Sequence, residues 1–225
     1  MLQKETLEFF RDLRLNNTKV WFDQNRERYE SAKADYFRLT EQILTELQKF
    51  DPHLNHLRVK DCIFRINRDI RFSNDKTPYK THVGMIFTQY GRKMEFASYY
   101  LHIDEANESF AGGGLYMPPA EALKKTRKEL YYFYDELKTI LGSGDFKKTY
   151  NELDRTKDIL LVKTPKGFDN DHESAEYLKL KSFTATKTIP QNWLTDPSGI
   201  TKAVKILKVV KPLNDFINRA LMAGN

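Results

Sequence analysis

The residues with the most chemical reach in this chain gather between Arg58 and Lys93. Arg58, Lys60, Arg65, Arg68, Arg71, Lys76, Lys80, Arg92 and Lys93 lie there, opposed only by Asp61, Asp69 and Asp75. That excess of six positive charges equals the net charge of the whole chain, so the rest of the sequence is balanced. Guanidinium forks and ammonium groups held in one place match the geometry of phosphate or carboxylate. The densest part reads RDIRFSNDKTPYKTH, from Arg68 to His82. Set between two strand-like segments, it is longer than a hairpin needs, and loops of that length are often functional. Ser73-Asn74-Asp75 can satisfy its own backbone through side-chain oxygens, and Pro78 fixes one dihedral. The pattern points to an anion site built from Arg65, Arg68, Arg71, Lys76, Tyr79 and Lys80, with His82 at its end. The plainer alternative is a solvated face laced with local ion pairs, Arg68–Asp69 and Asp75–Lys76 among them.

A second function class uses the same stretch. Phe64, Phe72, Tyr79 and Tyr90 interleave with the cations, the mixture by which single-strand nucleic-acid binders attract phosphate and stack bases. No recognised nucleic-acid motif accompanies it, so a small phosphate- or carboxylate-bearing molecule, as ligand or as substrate, is the favoured partner. Gly112-Gly113-Gly114 lacks the spacing and the following Lys-Ser/Thr of phosphate loops. It reads first as a bulge or a close backbone approach, and second as amides aimed at an anion. His53 and His56 are set in a loop by Pro52, while His82, His102 and His172 are scattered, so neither a metal nor a cofactor is expected. Cys62 is the only cysteine, which excludes an internal disulfide, and its apolar neighbours read it as a small buried residue.

These groups need a scaffold, and the hydropathy pattern supplies one. One helix with Leu7, Phe10 and Leu13 on a face ends at Asn16-Asn17, and a second is expected from Lys19 to Phe50, where Asp51-Pro52 stops it. Alternation then marks strands at Lys60–Asn67, His82–Gln89, Glu95–Ile103 and Glu108–Tyr116. A third long helix follows Pro118-Pro119 and ends at Gly142-Ser143-Gly144. Extra strands are expected near 159–162 and 181–189, and Pro212 should kink or interrupt a final helix. The expected organisation is one α+β domain: a helical part at 1–57, a sheet core with the basic loop at 58–116, and helices with extra strands at 117–225. Its sheet is largely antiparallel, has four or more strands, and packs with long N-terminal, central and C-terminal helices.

The 225 residues are 40% hydrophobic and 13% aromatic, enough to bury a core, which excludes a disordered chain. No apolar run approaches the roughly 18 residues that span a bilayer, and the N-terminus lacks a signal-peptide pattern. A cytoplasmic protein with no membrane partner is therefore expected.

The loop RDIRFSNDKTPYKTH, with Asn16, Asn17, Trp21, Phe22, Asn25, Arg26 and Tyr29 before it, resembles an uncharacterised microbial family catalogued as domain of unknown function 2461. The blocks Tyr99–Ile103, Gly112–Pro118, Pro165–Phe168 and Leu180–Phe183 are similar to other blocks of that family and extend the resemblance over most of the chain. The resemblance implies membership and no activity.

Strand register yields the last expectation. A turn centred on Gly91-Arg92 sets Val83 opposite Tyr100 and Phe87 opposite Phe96, with His102 on that apolar face. His82, Glu95 and Tyr99 then share the other face as candidate catalytic residues, over a shallow trough floored by Gly112 and Gly114.

Overall fold

The computed structural model describes residues 1–91 and 95–222. Near the N-terminus lie α1 (Lys4–Leu15), α2 (Lys19–Gln24), α3 (Arg26–Gln48) and the short α4 (Val59–Cys62). Strands β1 (His82–Phe87), β2 (Ser98–Asp104) and β3 (Phe110–Leu115) follow. The chain continues with α5 (Ala120–Tyr132), α6 (Tyr134–Gly142), α7 (Gly144–Thr149), α8 (Ala175–Leu178), β4 (Phe183–Thr188), α9 (Gly199–Val209) and α10 (Lys211–Met222). The strands form one antiparallel sheet in the order β1-β2-β3-β4, and the class is α+β.

Several boundaries differ from those expected, for local reasons. The helix expected from Lys19 to Phe50 breaks at Asn25, whose side-chain amide donates to the Trp21 carbonyl at 2.9 Å, capping α2 just before α3 begins. The strand expected at Lys60–Asn67 begins instead as α4, because Asp61 accepts from both the backbone and the side chain of Arg58. The rest of that segment meets the sheet only at isolated bridges, Ile63 with Met85 and Asn67 with Tyr79. The sheet's fourth strand is β4, within the stretch expected at 181–189. The strand expected near 159–162 is reduced to one bridge, Leu160 with Leu180. Pro212 interrupts the last helix as expected, standing in the first turn of α10, where a missing N–H costs nothing.

Contacts gather the chain into two compact units. The first comprises Met1–Arg92, Tyr100–Ala111 and Thr188–Lys205, and the second Lys93–Tyr99, Gly112–Lys187 and Ile206–Asn225. In the first unit α3 packs against α1 and β1. Phe9, Phe10, Phe22, Tyr29 and Tyr36 form a connected aromatic core there, with Phe22 and Tyr29 at 4.8 Å between ring centres. In the second unit α10 packs on α5 and α6. Arg219 on α10 reaches Glu129 and Glu136, and the buried Arg127 donates to the Leu180 carbonyl at 2.9 Å.

Candidate functional site

The basic loop holds itself together. Arg68 donates to Asp75 and to the Thr77 hydroxyl, and reaches the Thr77 carbonyl at 3.3 Å. Asp75 also accepts from the Thr77 amide at 2.9 Å, the side-chain turn that its position suggests. The Thr77 hydrogen bonds and the Arg68 guanidinium pull its carboxyl down to about 2. Arg71 forks onto both oxygens of Asp69, at 2.9 and 2.7 Å. Lys76 donates to the Ile70 carbonyl at 2.9 Å. Three of the cations assigned to an anion site are therefore occupied by the loop's own acceptors. The ion pairs expected between sequence neighbours are replaced by Arg68–Asp75 and Arg71–Asp69, because a fork needs a chain reversal to face its partner.

Tyr79, expected to touch a ligand, is an anchor instead. Its ring is buried, stacked on Phe22 at 4.0 Å and 16°. Its backbone is clamped on both sides by Asn17, whose Oδ1 accepts from the Tyr79 amide at 3.1 Å and whose Nδ2 donates to the Tyr79 carbonyl at 2.9 Å.

Lys80 is set apart from the exposed Lys60 and Lys76 of the same segment by its partial burial. The Lys80 ammonium donates to the Arg65 carbonyl at 2.9 Å and lies over the Phe64 ring at 5.5 Å. Burial, and then the charge of Arg65, lower its pKa from the ordinary lysine value. Among the described residues neither cation forms an ion pair.

Beyond Lys80, β1 and β2 present a polar face. The His82 and His102 rings lie 4.4 Å apart, and His102 stacks on Phe110 at 4.9 Å and 7°. Tyr100 is 5.7 Å from Phe110 between ring centres, and its hydroxyl is 3.5 Å from His102 Nδ1. A Cβ added to Gly84 would stand 2.5 Å from that hydroxyl, so only glycine lets Tyr100 lie across β1 there. Asp104, 4% exposed, continues the alternation. Its Oδ1 accepts from Arg14 at 2.7 Å and from the Ala106 amide at 2.7 Å. Burial first, and His102 second, push the His82 imidazole down to about 4. Burial lowers His102 too, against the pull of Asp104. Both rings are therefore neutral at pH 7. One donor atom each from His82, His102 and Asp104 fall within 4.8 Å of one another, so these residues could hold a metal ion. No metal was expected, because the histidines are scattered in sequence and only strand pairing gathers them.

The register is corrected in the same stroke. His82 and Gly84 meet His102 and Tyr100, not the residues one place earlier, so His102 leaves the apolar face. The turn that closes β1 lies at Thr88–Gly91, where the Gly91 amide donates to the Thr88 carbonyl at 2.9 Å and Gly91 has φ +67°. Arg92 and Lys93, part of the expected turn, lie outside the described residues. The observed pairing is one residue out of step with the expected one, and a one-residue slip exchanges faces.

Tyr99 is 2% exposed, and by strand alternation it points away from the side that carries Tyr100 and His102. Glu95 is exposed in the connection before β2. The three candidate catalytic residues do not form one group. Gly112, Gly113 and Gly114 floor no trough. A Cβ on Gly112 or Gly114 would lie 2.1 Å from the carbonyl oxygen of Ala185 or Phe183 on β4, and on Gly113 2.4 Å from that of Ser98. Close approach of neighbouring backbones explains all three. The residues that sequence reasoning passed over are Tyr100, Asp104, Arg14 and Asn17. The signal for the first two was present in Tyr99–Asp104, where Tyr100, His102 and Asp104 alternate with Leu101 and Ile103.

No curated protein and no solved structure matches the chain. A family model does, over residues 5–216, under the description "Conserved hypothetical protein (DUF2461)". With nearly the whole length matched, the chain belongs to the DUF2461 family of conserved hypothetical proteins.

Proposed function

We propose that this protein binds a small molecule bearing a phosphate or carboxylate group, and that Lys80 and Arg65 receive the anion beside His82. One observation carries the reading: two cations, close enough for one to depress the pKa of the other, have no carboxylate partner among the described residues. A partly buried ammonium whose charge is further disfavoured by a like-charged neighbour is stabilised by an anion beside it. Arg68, tied to Asp75 and Thr77, then serves as the frame that fixes the loop, and Tyr79 pins that frame to α2.

A thermal-shift screen of phosphate, sulfate, nucleotides, sugar phosphates and dicarboxylates, run with a chelator present, tests it. A ligand at a hundredfold over its Kd adds about 2.7 kcal/mol to stability. The expected result is a shift with at least one anion that Lys80→Met and Arg65→Ala each abolish. A shift that survives both substitutions, or no shift with any anion, overturns the reading.

Phe72 favours a second reading. It is 96% exposed, with the Arg71 guanidinium 5.8 Å from its ring centre, an arrangement on which an unpaired base can stack. Single-stranded RNA or DNA bound along 58–93 would lose affinity with salt at a slope of about −0.7 per phosphate neutralised. Phe72→Ala would weaken it. Failure to retard any oligonucleotide at low salt removes this reading and leaves the first untouched.

A further inference from the structure

We propose that His82, His102 and Asp104 form a binding site for a divalent first-row transition-metal ion of zinc-like softness, with part of its coordination sphere left open. The argument starts from strand geometry. His102 and Asp104 are two residues apart on β2, so alternation turns both side chains to one face, and the observed pairing brings His82 of β1 against them. Their donor atoms already lie within 4.8 Å of one another. A tetrahedral ion with bonds of about 2.0–2.1 Å needs donors roughly 3.3 Å apart. The closure of at most about 1.5 Å is within the reach of χ rotations of two rings that are not fully buried.

The donor set selects the class of ion. Two imidazoles and one carboxylate suit zinc, iron, cobalt or nickel, whereas calcium and magnesium prefer oxygen donors throughout. Three protein ligands are also fewer than a closed structural site uses, which leaves a position for water or another ligand. The surroundings prepare the ligands. No hydrogen bond among the described residues engages the His82 ring, so both of its nitrogens are open to an ion. Arg14 holds Asp104 by Oδ1, and a supporting hydrogen bond of that kind orients a metal-binding carboxylate. The competing account is an aromatic ladder in which Phe110, His102 and His82 stack with no ion. It predicts the same ring distances and no metal affinity.

This inference is independent of the anion reading, since its probe is the metal alone and the anion screen runs with chelator. Cobalt(II) is titrated into the full chain and followed by visible absorption and calorimetry. The expected result is one ion per chain, with affinity reduced about a hundredfold or more by His82→Gln and by His102→Gln, and unchanged by His53→Gln with His56→Gln. Because a ligand variant could lose its fold, the wild-type protein labelled with ¹⁵N-histidine is also titrated with zinc(II). The ring signals of His82 and His102 should move together and those of His53, His56 and His172 should not. No ring shift at millimolar zinc overturns the proposal, as does a shift confined to other histidines or an affinity that both glutamine variants retain.

Discussion

The loop from Arg68 to Lys76 and the strand face from Lys80 onward are neighbours in sequence and opposite in what they do with polar groups. In the loop, Arg68 and Arg71 each pair with a carboxylate of the same loop. On the face, Lys80, Arg65 and His82 make no ion pair, and the ring of His82 has no hydrogen-bond partner among the described residues. The richer charge lies in the first region and the open chemistry in the second. Density of charge shows where a chain departs from average, but a site needs groups whose neighbours have not already satisfied them.

The contrast can be broken by substitution. The largest effect is expected at the anchor. Tyr79→Ala removes a buried ring stacked on Phe22, and should cost about 3 kcal/mol or more in denaturant unfolding. A loss below about 1 kcal/mol would mean that the loop is not pinned through this ring.

Next comes Arg68, whose guanidinium ties Asp75 to Thr77. Arg68→Ala should cost about 1 kcal/mol and open the loop to limited proteolysis between Arg68 and Thr77. Arg71→Ala, which removes an exposed pair with Asp69, should stay within about 0.5 kcal/mol and leave proteolysis unchanged. Equal effects of the two would erase the distinction between frame and decoration inside the loop.

The smallest effect is local and titrates. The Asp75 carboxyl is lowered in the folded chain, to about 2 from an ordinary 3.8. Its contribution is therefore fully present above pH 3.8 and is lost as pH falls through about 2. The Thr77 amide resonance should follow that titration, and in Arg68→Ala the midpoint should rise toward the ordinary value. A wild-type midpoint near 3.8 would show that the loop's internal bonds do not hold in solution.

How much of this could be read in advance differs between elements. The proline at 212 marked the break between α9 and α10, because a residue without an N–H belongs at a helix start. The α+β class and the antiparallel sheet followed from runs of alternation between runs of helical period. Asn25 falls inside the helix expected from Lys19 to Phe50, and nothing in the periodicity showed that its amide would cap α2. Arg58 and Asp61 likewise turned the start of an expected strand into α4, since a local side-chain bond outweighed a short alternating pattern.

For the site, the sequence alone determined what each strand offers: Tyr100, His102 and Asp104 on one side of β2, with Leu101 and Ile103 on the other, and His82 at the head of β1. It determined also that the cations cluster, because composition is independent of folding. Tertiary structure alone decided the register that sets His82 against His102, and the partners that occupy Arg68 and Arg71. Both depend on how the chain reverses, and a one-residue slip in pairing exchanges the faces of a strand while leaving its hydropathy pattern unchanged.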